Sequence, residues 1–196
     1  MKKKKNQKNK LKIYTIIIIL ITLGVMYYIY IDNKPKKEVV IEENAEVVRL
    51  VNKNLNQTYP ETPREVVKLY NRIIICFYNE EYTNNQLIAL TNQARTLFDE
   101  ELIERNPYDE YFKRLCEEIE SYKDIDQKIS SCILESNREV DYYTKEDKKM
   151  ASVECVYYLK GDEGTIKVSH EYVLRKDEDG KWKILYWKLA DKEDDE

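Results

Sequence analysis

The chain has 196 residues, with 33 Lys and Arg against 37 Asp and Glu and a formal net charge of -4. That charge is split: residues 1–37 hold ten Lys and one Asp, and residues 38–196 carry a net -13. The acidic bulk argues against a nucleic-acid-binding domain, because phosphate neutralisation needs a basic face. Four Gly argue against a Gly-rich phosphate cradle, and a single His argues against a His-based metal site.

Residues 1–12 form a basic tail with Lys at 2, 3, 4, 5, 8, 10 and 12. Ile13 to Ile31 then run for 19 residues without a charge or a Pro, and twelve of them are Ile, Leu, Val or Met. As a helix this run reaches roughly 28 Å at ~1.5 Å per residue, close to the ~30 Å hydrocarbon core of a bilayer. Tyr14 lies at one end and Tyr27, Tyr28 and Tyr30 at the other, as interfacial rings do. The pattern predicts an uncleaved signal anchor, with the basic tail in the cytoplasm and residues 32–196 outside. The lipid bilayer is therefore the first expected partner, through residues 13–31.

Residues 32–60 read as a juxtamembrane linker followed by a helix over Glu38 to Asn56, with Val40, Val47, Val48, Val51 and Leu55 on its apolar stripe. The folded domain is expected over residues 61–190, followed by an acidic tail at 191–196. Thr62-Pro63-Arg64-Glu65 is a helix start, with a capping Thr, a Pro suited to the first turn and a Glu that can close a capping box. Val66, Leu69, Tyr70, Ile73, Ile74 and Phe77 follow at helical spacing. Thr83 and Gln86 open a second helix with its stripe at Leu87, Leu90, Ala94, Leu97 and Phe98. Asn106-Pro107 opens a third, with Tyr108, Tyr111, Phe112, Leu115 and Ile119 inward.

After Ser121 the apolar period falls to two. Residues 128–143, 150–160, 165–176 and 181–189 read as strands. One face of the second carries Ala151, Val153, Cys155, Tyr157 and Leu159. One face of the third carries Ile166, Val168, His170, Tyr172 and Leu174. The connections, Thr144 to Lys149, Gly161 to Gly164 and Asp177 to Gly180, are short, which favours an antiparallel meander. The expected class is α+β: a transmembrane helix, then three helices packed on a curved antiparallel four-stranded sheet.

The closing hairpin, Tyr172 to Ile184 with its charged turn Asp177-Glu178-Asp179-Gly180 and the following Trp182-Lys183-Ile184, carries a resemblance. Together with three helices leading into a four-stranded meander, Thr62 to Leu189 resembles the nuclear-transport-factor-2-like cone fold. The N-terminal arrangement resembles that of an uncharacterised membrane-anchored protein family of Gram-positive bacteria. The cone resemblance implies a fold that hosts enzymes, ligand binders and assembly modules alike, so function rests on the site.

His170 is the only His and falls on an apolar strand face, where an imidazole can act as acid or base near neutral pH. It is the one candidate catalytic residue. In ketosteroid-isomerase-like members of the resembled fold, a buried Asp or an Asp/His pair works with Tyr donors, and no inward Asp faces His170 here. Tyr70, Tyr172 and Tyr186, with His170, are the candidate ligand-binding residues, because Tyr brings both a ring and a hydroxyl to a pocket; Tyr157 shares their pattern. Cys76, Cys116, Cys132 and Cys155 permit disulfides in an exported domain, in any of three pairings, and contain no CxxC. No metal site and no cofactor is expected. The reading is a non-catalytic protein-interaction or small-ligand-binding module displayed on a membrane anchor. The alternatives are a cone-fold isomerase or hydratase using His170, or a subunit that self-associates outside the cell.

Overall fold

The structure is a computed structural model that describes residues 44–162 and 164–190. The expected basic tail, the membrane-spanning run at 13–31, the linker and the acidic tail lie outside the described residues. Among the described residues, no helix is long and apolar enough to cross a membrane. They form an α+β domain of five helices on a five-stranded sheet whose strands all pair antiparallel.

The first helix, α1 (Ala45–Val51), ends short of the Asn56 that the apolar stripe predicts, and residues 38–43 of the expected helix lie outside the described residues. Asn44 caps its start by accepting from the amides of Glu46 and Val47 at 2.8 and 3.3 Å. Beyond Asn52 the side chain of Asn54 accepts from the Asn56 amide at 3.0 Å. Such local bonds give the backbone an alternative to helix, which ends the element before Leu55. Leu55 is still buried, delivered by the turn rather than by the helix.

The central helix α2 (Pro63–Asn79) follows the capping box set by Thr62 and Glu65, with bonds of 3.2 and 3.3 Å. Val66, Leu69, Tyr70, Ile73 and Phe77 are buried along one stripe. Thr83 and Gln86 make a second capping box at the start of α3 (Asn84–Thr96). Its Gln93 amide donates to the Val51 and Lys53 carbonyls at 3.2 and 2.8 Å, tying α3 to the end of α1.

The pattern did not predict α4 (Glu100–Arg105). It begins at Asp99, whose carboxylate accepts from the Glu101 amide. Asp99 is buried and gripped by Arg175 from the sheet, Nε to Oδ2 at 2.9 Å with a second bond from Nη2 to Oδ1. Just before it, Leu97 and Asp99 exchange backbone bonds of 2.8 Å with Ile184, a parallel bridge that fastens this corner to the last strand. Helix α5 (Tyr108–Asp124) buries Leu115 and Ile119.

The strands are β1 (Lys128–Leu134), β2 (Asp141–Lys145), β3 (Lys148–Gly161), β4 (Gly164–Lys176) and β5 (Trp182–Leu189). The expected first strand, 128–143, is in fact two. Ser136 and Glu139 close a local turn, with the Ser136 amide on the Glu139 carboxylate at 2.7 Å. This separates β1, which pairs with Cys155–Lys160, from β2, which pairs with Lys148–Ser152 along the same edge of β3. The β2–β3 turn is also tighter than the expected Thr144–Lys149 connection: it is Glu146-Asp147, with φ of 50° and 62° at two residues that are not Gly. Register shifts at Ile129/Ser131 and at Val173/Leu174 bend the sheet. Ala151, Val153, Cys155 and Tyr157 are buried on one face of β3, as the alternation predicts.

Candidate functional site

A cavity of about 460 Å³ opens beside the inward rows of the sheet. Helix α2 lines it with Tyr70, Ile74, Phe77 and Tyr78. Helix α5 brings Tyr111, Leu115, Glu118 and Tyr122, and β4 brings Val168, His170 and Tyr172. Tyr157 from β3, Trp187 from β5 and Phe98 from the α3–α4 corner complete the aromatic wall. The volume lies within the ~300–1,000 Å³ of ordinary small-molecule sites.

The rings hold one another. Tyr70 meets Phe98 and Tyr172 edge-on, at 5.5 and 5.9 Å between ring centres, and Trp187 at a tilt, at 5.8 Å. Each such pair adds ~0.5–1.5 kcal/mol beyond its burial, so the wall is set before any ligand arrives.

Beneath this wall runs a chain of polar groups. The Tyr157 hydroxyl donates to Asn71 Oδ1 at 2.5 Å. It also lies 2.6 Å from the Tyr172 hydroxyl. Tyr157 has one proton and gives it to Asn71, so Tyr172 must be the donor in the second bond. Both lone pairs of the Tyr172 oxygen then remain as acceptors. The Asn71 amide in turn donates to Cys132 Sγ and Cys155 Sγ at 3.0 and 3.1 Å. Burial pushes the Tyr157 and Tyr172 hydroxyls well above the usual tyrosine range, so both stay protonated.

His170 stands between Val168 and Tyr172 on β4, opposite Cys155. Its ring lies 5.4 Å from that of Tyr157 and 6.2 Å from that of Tyr172. Nδ1 is buried and has no hydrogen-bond partner among the described residues. Burial lowers the imidazole below the usual histidine range, so it is neutral at pH 7. An orphaned buried nitrogen costs about as much as a lost hydrogen bond.

The cavity's rim is polar. Arg114 donates to Asn106 Oδ1 at 2.7 Å, and Glu118 stands exposed on the next turn of α5. Burial first, and then the Glu118 carboxylate, push the Tyr78 hydroxyl up. Burial pushes Tyr111 up to about 12.

Three of the four expected ligand-binding residues, Tyr70, His170 and Tyr172, meet in this cavity. Tyr186 does not: it is 45% exposed and lines a separate groove with Tyr143 and Arg105. Strict alternation from Trp182 and Ile184 carries Tyr186 inward. The bulge opposite Val173/Leu174 inserts one residue, turns Tyr186 out and sends Trp187 in, across from Tyr172. Asn71 is the residue that sequence reasoning missed. It lies on the inward stripe of α2 between Tyr70 and Ile73, and a polar residue inside an apolar stripe is the signal that could have found it. All four cysteines are free. Among the described residues, no group of three or more His, Cys, Asp or Glu side chains is placed to hold a metal ion.

Residues 1–187 match the family model of a domain of unknown function, DUF6715. The chain belongs to the DUF6715 family. The DUF6715 match runs from the basic N-terminal tail into β5, so it takes in the uncharged run, the cavity helices and His170. No curated protein matches the chain.

Proposed function

We propose that the chain is a small-ligand-binding module, held at a membrane by residues 13–31 and displayed outside the cell. The observation that carries the reading is the aromatic cavity with one unpartnered nitrogen, His170 Nδ1, and one open acceptor, the Tyr172 oxygen. That combination suits a flat, largely apolar molecule bearing a hydroxyl or similar polar group at one end. The bent sheet, with helices closing a hollow over its inner face, supports the cone-like version of the fold. The 19 uncharged residues behind a seven-Lys tail support the anchor and its orientation.

The test is calorimetric titration of a fragment beginning at residue 44 with 2-naphthol, a flat two-ring phenol. The account expects saturable binding that Val168→Trp abolishes by filling the cavity, with the circular dichroism spectrum unchanged. Absent binding, or equal binding by Val168→Trp, overturns it.

A second reading, an isomerase or hydratase, is favoured by the neutral imidazole beside a hydroxyl chain. It requires His170→Gln to abolish turnover of a bound ketone or alkene while binding persists.

A further inference from the structure

The polar chain below the cavity ends on two sulfurs. Cys132 Sγ and Cys155 Sγ are 2.9 Å apart, inside the contact distance of unbonded sulfur atoms. The separation exceeds the ~2.05 Å of a disulfide by less than an ångström. The two residues lie on paired strands, Cys132 opposite Tyr157 and Cys155 opposite Leu134, so they are diagonal neighbours across the β1–β3 ladder. Asn71 donates one amide hydrogen to each.

The two sulfurs differ in access. Cys155 is fully buried, whereas Cys132 is half-buried and lines a groove of about 230 Å³. Arg64, Lys68 and Arg72 line the same groove. Glu46 offsets Arg72 at 2.5 Å, and Arg64 donates to the Glu135 carbonyl at 2.7 Å. The groove thus remains cationic beside the accessible sulfur. The hydrogen bond with Cys155 holds the Cys132 thiol below the ordinary thiol range, with Asn71 helping. The same contact and burial push Cys155 up. The first proton of the pair therefore leaves from Cys132, the reachable sulfur.

We propose that Cys132 and Cys155 are a redox-active dithiol, with Cys132 as the entry sulfur and an external disulfide bearing carboxylates as the oxidant. The Cys132 thiolate attacks one sulfur of the external disulfide. A mixed disulfide forms on Cys132, and one thiol leaves with the Cys132 proton. Cys155 then attacks Cys132 Sγ, the internal bond forms, and the second thiol leaves with the Cys155 proton. Two protein thiols are oxidised, and one external disulfide becomes two thiols. Nothing in this step depends on what fills the cavity.

Cys76 serves as an internal control, because burial pushes its thiol up to about 12. The experiment takes the full chain, reduced and detergent-solubilised, and exposes it to oxidised glutathione. The sample is quenched with acid, alkylated with N-ethylmaleimide, digested and weighed. The proposal expects one linked peptide pair joining Cys132 to Cys155, with the loss of two alkylation sites and Cys76 and Cys116 still alkylated. In Cys155→Ser the reaction stops at a glutathione adduct on Cys132, and in Cys132→Ser Cys155 takes no adduct. Four alkylated cysteines after oxidation, a bridge through Cys76 or Cys116, or an adduct on Cys155 in Cys132→Ser overturns the proposal.

Discussion

Replacing Tyr157 with Phe tests the direction of the hydroxyl chain. Tyr157 donates to Asn71 and accepts from Tyr172. The substitution leaves Asn71 Oδ1 without its donor and the Tyr172 hydroxyl without its acceptor. Both groups are buried, at 3% and 1% exposure. An orphaned buried polar group costs ~1–3 kcal/mol, so Tyr157→Phe, which orphans two, should cost on the order of 2–6 kcal/mol. Tyr172→Phe removes only the incoming donor. Tyr157 keeps its bond to Asn71, and the cost falls to ~0.5–1.5 kcal/mol. For a domain of this size ~1 kcal/mol moves Tm by ~2–4 °C. Thermal unfolding should therefore place Tyr157→Phe well below Tyr172→Phe, by several degrees. The order rests on Asn71 presenting its oxygen to Tyr157 and its amide to the two sulfurs. If Tyr172→Phe proves the more costly, the chain runs the other way, and Tyr172 offers a ligand its own proton and one lone pair in place of two.

Three further outcomes follow from the geometry. Arg175→Met leaves the buried Asp99 carboxylate unpaired and should cost ~3–5 kcal/mol in denaturant unfolding, whereas Glu101→Gln, at a half-exposed carboxylate, should cost under ~1 kcal/mol; equal losses would show that the Asp99 contact carries little. His170 has a depressed native pKa, so the unfolded chain takes up its proton first. The stability it contributes is whole above about pH 6.5 and is lost as pH falls through the depressed value; Tm measured from pH 7 to 5 should fall less steeply in His170→Gln, and identical slopes would contradict the burial of this ring. Gly180 sits at φ of 78° in the β4–β5 turn, so Gly180→Ala should cost ~1–2 kcal/mol although only the Lys176 side chain approaches its Cβ position, at 3.8 Å; an unchanged Tm would mean that the turn relaxes.

Local rules carried much of the fold into view. Thr62 with Glu65 and Thr83 with Gln86 mark helix starts because the capping box is a contact between near neighbours, and both boxes form. The inward rows of β3 and β4 follow from alternation, which is why His170 and Tyr172 land together. What stayed hidden depends on contacts distant in sequence. The β4–β5 bulge reverses the parity of Tyr186 and Trp187, and no local pattern announces it. The break between β1 and β2 arises because one long strand, β3, can pair two short ones along a single edge. Asp99 reads as surface acid among Glu100 and Glu101 until Arg175, 76 residues later, is folded onto it. Asn71 reads as an interruption of the α2 stripe until Tyr157 and the two thiols surround it.

The account's central claim is that the hollow under the aromatic wall receives a ligand at His170. Because His170 is the only histidine in the chain, a sample labelled with ¹⁵N at histidine gives the signals of one imidazole. At pH 7 the account predicts a neutral ring whose Nδ1 resonance moves on saturation with 2-naphthol and stays fixed in Val168→Trp. An Nδ1 resonance unmoved by a probe that demonstrably binds would place the ligand elsewhere and contradict the claim.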